Sequence, residues 1–333
     1  MSTDQVVVPT EQNESSGGPS EGRRGGYSLL TGNDRRTLTL MTAVPSFLHI
    51  VLVWVPAIGT FLLSFTNWNG IRWSSLEWVG FRNYRQLFTV FEKDLYGSMI
   101  NNLWVMLALF VIGTPLGMLI AYILDKGLRG SAIYQSIFYA PVVLSLAVVG
   151  FIWKSVMYSP GQGILNTVLG RTEPGNQIDW LGNPDFIIGL PGDYGLSRNF
   201  LSLMIAMIWI HVGYVMVLYL AGLKSVDPNL REAAAIDGAN EWQVFRQVIF
   251  PAMKPVNIVI MVITVITALR VFDIIDVLNN PIGTDVLSIL VTDNILGESS
   301  NVGRGSAYGV FLLLICFAFA IIYLRNAFSE DDA

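Results

Sequence analysis

Six long apolar runs constrain this chain more than any other feature. They lie at about 40–66, 99–124, 132–155, 200–223, 254–277 and 305–325. Each reaches the roughly 20 mainly apolar residues that a helix needs to cross a hydrocarbon core. In lipid the backbone must satisfy its own hydrogen bonds, and a helix does so within a single segment. The expectation is an all-α membrane protein with six transmembrane helices. Only 14% of its 333 residues are charged and 53% are hydrophobic, whereas a soluble domain carries about 25% charged residues. Prolines 45, 56, 115 and 141 fall inside the runs, where neighbouring groups satisfy the carbonyls they free. Gly113 and Gly117 have small-xxx-small spacing, a pattern of close helix contact.

The rest of the chain divides around these runs. Residues 1–37 are rich in Ser, Gly, Glu and Pro and lack the apolar mass to offset ordering entropy, so a disordered tail is expected. The membrane domain is 38–327, with a short tail at 328–333. No cleaved targeting segment is expected, because the first apolar run begins near Thr39 and is long enough to stay in the bilayer. The single cysteine, Cys316, excludes an intramolecular disulfide. One Cys and two His make no metal cluster. A net charge of −5 spread over ends and loops points to no nucleic-acid partner.

Six spans put both termini on one side. Roughly 11 basic residues lie on that side and roughly 8 on the other, which by the positive-inside rule makes the termini cytoplasmic. The opposite side holds two longer segments. Residues 67–98 carry Trp68, Trp73, Trp78, Phe81, Tyr84 and Phe88, as expected of a membrane–water boundary. Within them "NYRQLFTVFEKDLY" has the pattern of an amphipathic helix lying on the surface. Residues 156–198 are punctuated by turn signals and are long for a connector.

Between the fourth and fifth runs stands "VDPNLREAAAIDGANEWQVFRQVIFPAMKP". Asp227 and Pro228 are a helix N-cap and first residue, and Gly238 suits a left-handed C′ position. Asn240 then caps a second helix that Pro251 stops. In it Trp242, Phe245 and Ile249 share one face. Ala233, Ala234 and Ala235 keep the first helix thin, so that another surface can approach. Two readings stand: a hairpin that covers the ends of the membrane helices, or a segment that fits a partner's cleft and transmits a push.

Here the chain resembles the permease subunits of binding-protein-dependent ABC transporters, in the carbohydrate-uptake branch of maltose or α-glucoside type. Their motif is Glu-Ala-Ala, three residues, Gly, nine residues, Ile-x-Leu-Pro. The sequence has Glu232-Ala233-Ala234, Gly238 and Val248-Ile249-Phe250-Pro251, with Val for Ile and Phe for Leu. "WVGFRNYRQLF", "WIHVGYVMVLYLAGLKSVDP" and "RVFDIIDVL" extend the likeness over about 40–327. "LNNPIGT" stands where many relatives have Thr-x-Gly-Gly-Pro, and the large extra outer domain of some maltose-type permeases is absent. The resemblance implies a cytoplasmic coupling helix that docks on a separate ATPase. Its residues are Glu232, as polar contact, Ala233, Ala234, Asp237, Gly238, as hinge, and Pro251. It also implies that Trp209, Ile210, His211, Tyr214, Thr267 and Arg270 line a mid-membrane substrate pocket. Implied partners are a second permease, two copies of the ATPase, an extracytoplasmic sugar-binding protein and the sugar itself.

The residues alone leave other roles open. Arg270 and Asp273 are three apart and suited to pair on one helix face. His211 also reads as a satisfied core histidine, and Trp209 and Tyr214 as packing. The chain has no G-x-x-x-x-G-K-[ST] loop, so no cofactor is expected on it and ATP belongs to the separate ATPase. It is read as a transport subunit in the cytoplasmic membrane and not as an enzyme. The alternative is an ion-gradient-driven transporter, whose midplane carboxylates this sequence supplies only in Asp273.

Overall fold

The structure is a computed structural model that describes residues 31–278, 281–297 and 300–329. Residues 1–30 and 330–333, and Asn279 and Asn280 of the "LNNPIGT" turn, lie outside the described residues. In chain order the helices are α1 (Gly32–Leu63), α2 (Arg82–Thr89), α3 (Glu92–Asp125), α4 (Ser131–Val143) and α5 (Leu146–Met157). A short α6 (Ile164–Val168) and the strands β1 (Phe186–Leu190) and β2 (Tyr194–Ser197) follow. Then come α7 (Arg198–Ser225), α8 (Pro228–Ile236), α9 (Glu241–Ala252) and α10 (Lys254–Leu269). The chain ends with α11 (Asp273–Val277), α12 (Leu287–Leu296) and α13 (Val302–Ser329). It divides at Pro56 into two compact units, which are taken separately.

In the first unit α1 reaches back into the expected tail, over residues 32–37. The Thr31 hydroxyl accepts from Asp34 N–H while the Asp34 carboxylate accepts from Thr31 N–H. This capping box starts α1 at Gly32.

Among the described residues, four helices are able by length and composition to cross a membrane: α1, α3, α7 and α13. The bent pairs α4–α5 and α9–α10 raise the total to as many as six. The run at 132–155 is therefore not one straight span. It bends by 98° at Leu144 and Ser145, where the extended Ser145 starts a new helix by capping Val148 N–H. The run at 254–277 is also broken. α10 ends at Leu269, and a non-helical link through Arg270–Phe272 leads to α11. The freed backbone groups find partners, as they must in an apolar setting. Asn102 Nδ2 donates to Ala268 O at 2.8 Å and its Oδ1 accepts from Leu287 N–H at 3.0 Å. Asn101 Nδ2 donates to Asp285 O at 2.8 Å, and the Ser288 hydroxyl donates to Val271 O.

Among the described residues the regular structure is helical apart from one hairpin and an isolated bridge between Thr66 and Trp78. β1 and β2 pair antiparallel, with Leu190 opposite Tyr194, and β2 runs straight into the Ser197 cap of α7. Residues 156–198, expected as a turn-rich loop, are thus partly ordered. Asn166 organises them, donating to Pro160 O and Ile178 O while accepting from Ile178 N–H and Trp180 Nε1.

Three prolines inside helices are accommodated by a common device. A π-helical turn precedes each by two residues: Ile50–Trp54 before Pro56, Leu109–Gly113 before Pro115 and Phe245–Ile249 before Pro251. Proline lacks an N–H and its ring clashes with the carbonyl four residues back. A wider turn lets the helix continue past it. The helix that carries Pro251 ends one residue later, at Ala252, and the chain bends by 75° into α10.

α7 is the central element of the second unit. Its first half packs Phe200, Leu203 and Met207 against Val105, Trp153, Ala268 and Ile275. Its second half packs Val215, Met216 and Leu223 against Ala121, Leu124, Phe245 and Ile260. Helices in lipid gain little from burying apolar groups, and close backbone approach matters more. Gly117 and Gly213 provide it. A Cβ at Gly117 would stand 3.0 Å from Val212 O, and one at Gly213 only 2.2 Å from Phe138 O. The Gly113–Gly117 pattern thus marks real contact. Cys316 is half-buried.

Candidate functional site

Two regions of the second unit gather the residues singled out by sequence. The first is a cavity of about 430 Å³ among α3, α4, α5, α7, α10 and the link that follows α10. Ile210, His211 and Tyr214 reach it from α7, at spacings that share a helix face. Thr267 and Arg270 reach it from the end of α10. Five of the six expected pocket residues therefore meet on one wall. Trp209 does not. It points away and packs edge-on to Trp153, with ring centroids 5.7 Å apart.

His211 is 4% exposed and borders both core and cavity. The Thr264 hydroxyl donates to Ile260 O at 2.7 Å, and its oxygen lies 3.4 Å from His211 Nε2. The Thr114 hydroxyl lies 3.2 Å from the same nitrogen. The ring is thus fixed by two threonines from two other segments, and a Cβ at Gly113 would meet it at 2.9 Å. Arg270 and Asp273 line the cavity without pairing to each other. Its wall is otherwise mainly apolar, with Val105, Leu109, Met207 and Ile266 among its members. An apolar wall with a few converging polar groups is the usual make-up of a small-molecule site.

The second region is the segment from Asp227 to Pro251. Asp227 caps α8 by accepting from Asn229 N–H, and Pro228 opens it. Gly238 has φ +79°. Its N–H donates to Ala235 O, and Ala239 N–H donates to Ala234 O. That pair of bonds is a Schellman motif and explains the glycine. Asn240 and Gln243 form a capping box that begins α9. No residue of α8 is buried. Glu232, Ala233, Asp237, Gly238 and Pro251 are all exposed, Ala234 is half-exposed, and Ile236 is 86% exposed. Of the expected apolar face on α9, Phe245 and Ile249 are buried. Trp242 is 66% exposed and stacks on Phe245 from outside, because the π-turn from Phe245 to Ile249 shifts the face.

Two ion pairs that the sequence did not announce hold this segment to the end of α3. Arg231 Nη1 lies 2.8 Å from Asp125 Oδ2, and its Nη2 donates to Leu223 O at 3.0 Å. Lys126 Nζ lies 2.6 Å from Glu241 Oε2, and that hydrogen bond holds the ammonium pKa above its ordinary value. Their signal in the sequence was faint: Asp125 and Lys126 close a span, with opposite charges 106 and 115 residues away.

Residues 113–329 match the family described as the binding-protein-dependent transport system inner membrane component. The chain belongs to that family. The permease is thus a multi-pass membrane protein. It is 30% identical to a probable ABC transporter permease protein of Pyrococcus horikoshii over 88% of this chain and 100% of the relative. It is 32% identical to the osmoprotective compounds uptake permease protein of Synechocystis over 86% and 96%. A trehalose/maltose transport system permease protein of Thermococcus litoralis shares 29% identity over 88% and 93%. In fold the permease resembles a chain of a bacterial ABC transporter that imports alginate, with a TM-score of 0.72, 21% identity, and coverage of 88% and 96%.

Proposed function

We propose that this permease forms half of the translocation pathway of an ATP-driven importer of α-glucosides or other oligosaccharides. A second permease completes the pathway. Two copies of a separate ATPase bind ATP on the cytoplasmic side, where both termini of this chain lie, and an extracytoplasmic binding protein delivers the sugar. The permease itself carries no ATP-hydrolysis site. The segment from Glu232 to Pro251 couples to the ATPase, with Glu232 as polar contact and Gly238 as fixed corner. Ile210, His211, Tyr214, Thr267 and Arg270 face the passing sugar, and Trp209 supports the wall from behind.

The observation that carries this reading is the capped and exposed α8–Gly238–α9 segment. It is anchored to the end of α3 by Arg231 and Glu241, and Arg231 also bonds Leu223 O at the foot of α7, the helix that brings His211 and Tyr214 to the cavity. A displacement at α8 thus has a stiff path to the wall. The names of the relatives supply the sugar class. The ion-driven alternative has no comparable observation in its favour.

The test is sugar-stimulated ATP hydrolysis by the permease reconstituted with its neighbouring permease, ATPase and binding protein, across maltose-like and other oligosaccharides. Stimulation by one class, lost in Glu232→Ala although the complex assembles, is the expected result. Transport that survives without ATP hydrolysis but collapses with the ion gradient would overturn it.

A further inference from the structure

The segment between α1 and α3 has two faces. One is fastened to the protein. Val79 N–H donates to Phe65 O at 2.8 Å. Asn83 Nδ2 donates to Ser64 O at 2.8 Å and Thr66 O at 2.7 Å. The Ser64 and Tyr84 hydroxyls lie 2.7 Å apart, and Leu87 is fully buried. The other face is bare. Ile71, Trp73, Trp78, Phe81, Phe88 and Val90 are all exposed, Trp73 and Phe81 each at 74%. Arg82 and Arg85 are exposed beside them.

The depth of this bare face decides what covers it. No charged residue stands between Arg304 and Arg325, a helical length of about 30 Å, equal to a hydrocarbon core. Phe88 packs edge-on to Phe311, with centroids 5.7 Å apart, and Phe311 lies about 10 Å along α13 beyond Arg304. The end of α2 therefore lies beside the uncharged length of α13. Trp68, whose carbonyl accepts from Gly303 N–H at 3.2 Å, stands level with the head of α13. Phe61, exposed on α1, packs on Phe65, which in turn packs on Trp78 and Phe81. The exposed aromatic surface is continuous with the side of a spanning helix.

We propose that residues 64–91 form a ledge seated in the bilayer leaflet opposite the α8 segment, with its aromatic face against acyl chains and Arg82 and Arg85 bound to lipid phosphates. An amphipathic element lying in the interface has this make-up, apolar below and cationic above. Tyrosine and tryptophan are the residues enriched at that level, and arginine suits a phosphate through its forked donors. The ledge fixes the height of the outer ends of α3 and α13 against the membrane.

Cys316 is the only cysteine, so Cys316→Ser gives a clean background. Nitroxide labels are placed one at a time through Phe81→Cys, Phe88→Cys and Val90→Cys, with Arg171→Cys as a water-exposed control. The full chain, with whatever subunits it assembles with, is measured in phosphatidylethanolamine–phosphatidylglycerol nanodiscs. The expected result is collision with oxygen several-fold above collision with a water-soluble nickel chelate at all three sites, and the reverse at 171. Nickel collision equal to the control would overturn the proposal, since the face would be open to water and free for the binding protein. Low collision with both reagents would also overturn it, because another subunit would cover the face. Three separate exposed sites keep the test valid if one variant fails to fold. Arg82→Gln with Arg85→Gln is expected to reduce retained phosphatidylglycerol, counted by native mass spectrometry, at least two-fold. Unchanged retention would overturn the arginine assignment.

Discussion

The α8–α9 segment and the cavity wall are built on opposite scales. The capping contacts that shape the corner at Gly238 each span about six residues or fewer: the Asp227 cap, the Schellman bonds and the Asn240–Gln243 box. The cavity draws on α3, α4, α5, α7 and α10, from Val105 to Ile274. A local corner depends on backbone chemistry and tolerates few substitutions. A wall assembled from distant helices depends on how closely their backbones approach, and its individual side chains can be exchanged at lower cost.

The sharpest way to break this contrast is Gly238→Pro. Proline fixes φ near −65°, against +79° here, and removes the N–H that Ala235 O accepts. Sugar-stimulated ATP hydrolysis in the assembled complex is expected to fall about tenfold or more, while the cavity residues remain in place. Next in size is Gly213→Ala, whose new Cβ would meet a backbone oxygen and not a flexible side chain. A loss of about 1–3 kcal/mol is expected, read as a lower unfolding temperature in detergent. Ala at Gly117 should do less, since its nearest atoms are at 3.0 Å or beyond.

These two regions also differ in how legible they were in the sequence. Asp227, Pro228, Gly238 and Asn240 announced the corner because capping rules act over three or four residues, and the structure places each in that role. Ile210, His211, Tyr214, Thr267 and Arg270 were gathered through the family pattern, and no spacing rule would have found them. Trp209 was misplaced because a neighbour on a helix points about 100° away. The bends at Ser145 and Arg270 were missed because a run of apolar residues reads the same whether straight or broken. In these breaks the telling residues were Ser145 and Asn102. They are polar groups within apolar runs, and each satisfies backbone that a straight helix would not have left open.

Smaller effects sharpen the comparison. Arg231→Gln leaves the largely buried Asp125 without its partner and is expected to destabilise by about 1–2 kcal/mol, between exposed and fully buried pairs. Lys126→Gln removes an exposed pair and should leave the unfolding temperature unchanged. On the wall, Thr267→Ala and His211→Ala are expected to raise the half-saturating sugar concentration about three- to tenfold. Trp209→Ala, which removes only the contact behind, should not alter it if the complex assembles. An equal effect at Trp209 would mean that the wall extends around α7.

The central claim is that α7 joins the corner at Gly238 to the cavity as one mechanical unit. It is tested most directly by the accessibility of Thr267→Cys on a Cys316→Ser background in the reconstituted complex. A water-soluble thiol reagent is applied without nucleotide and with the ATPase trapped in its ATP-bound form. The expected result is a several-fold change in labelling rate on trapping, which disappears when Gly238→Pro is added. A change of the same size in the Gly238→Pro protein would contradict the account, because the cavity would then be responding to the ATPase by some route other than this corner.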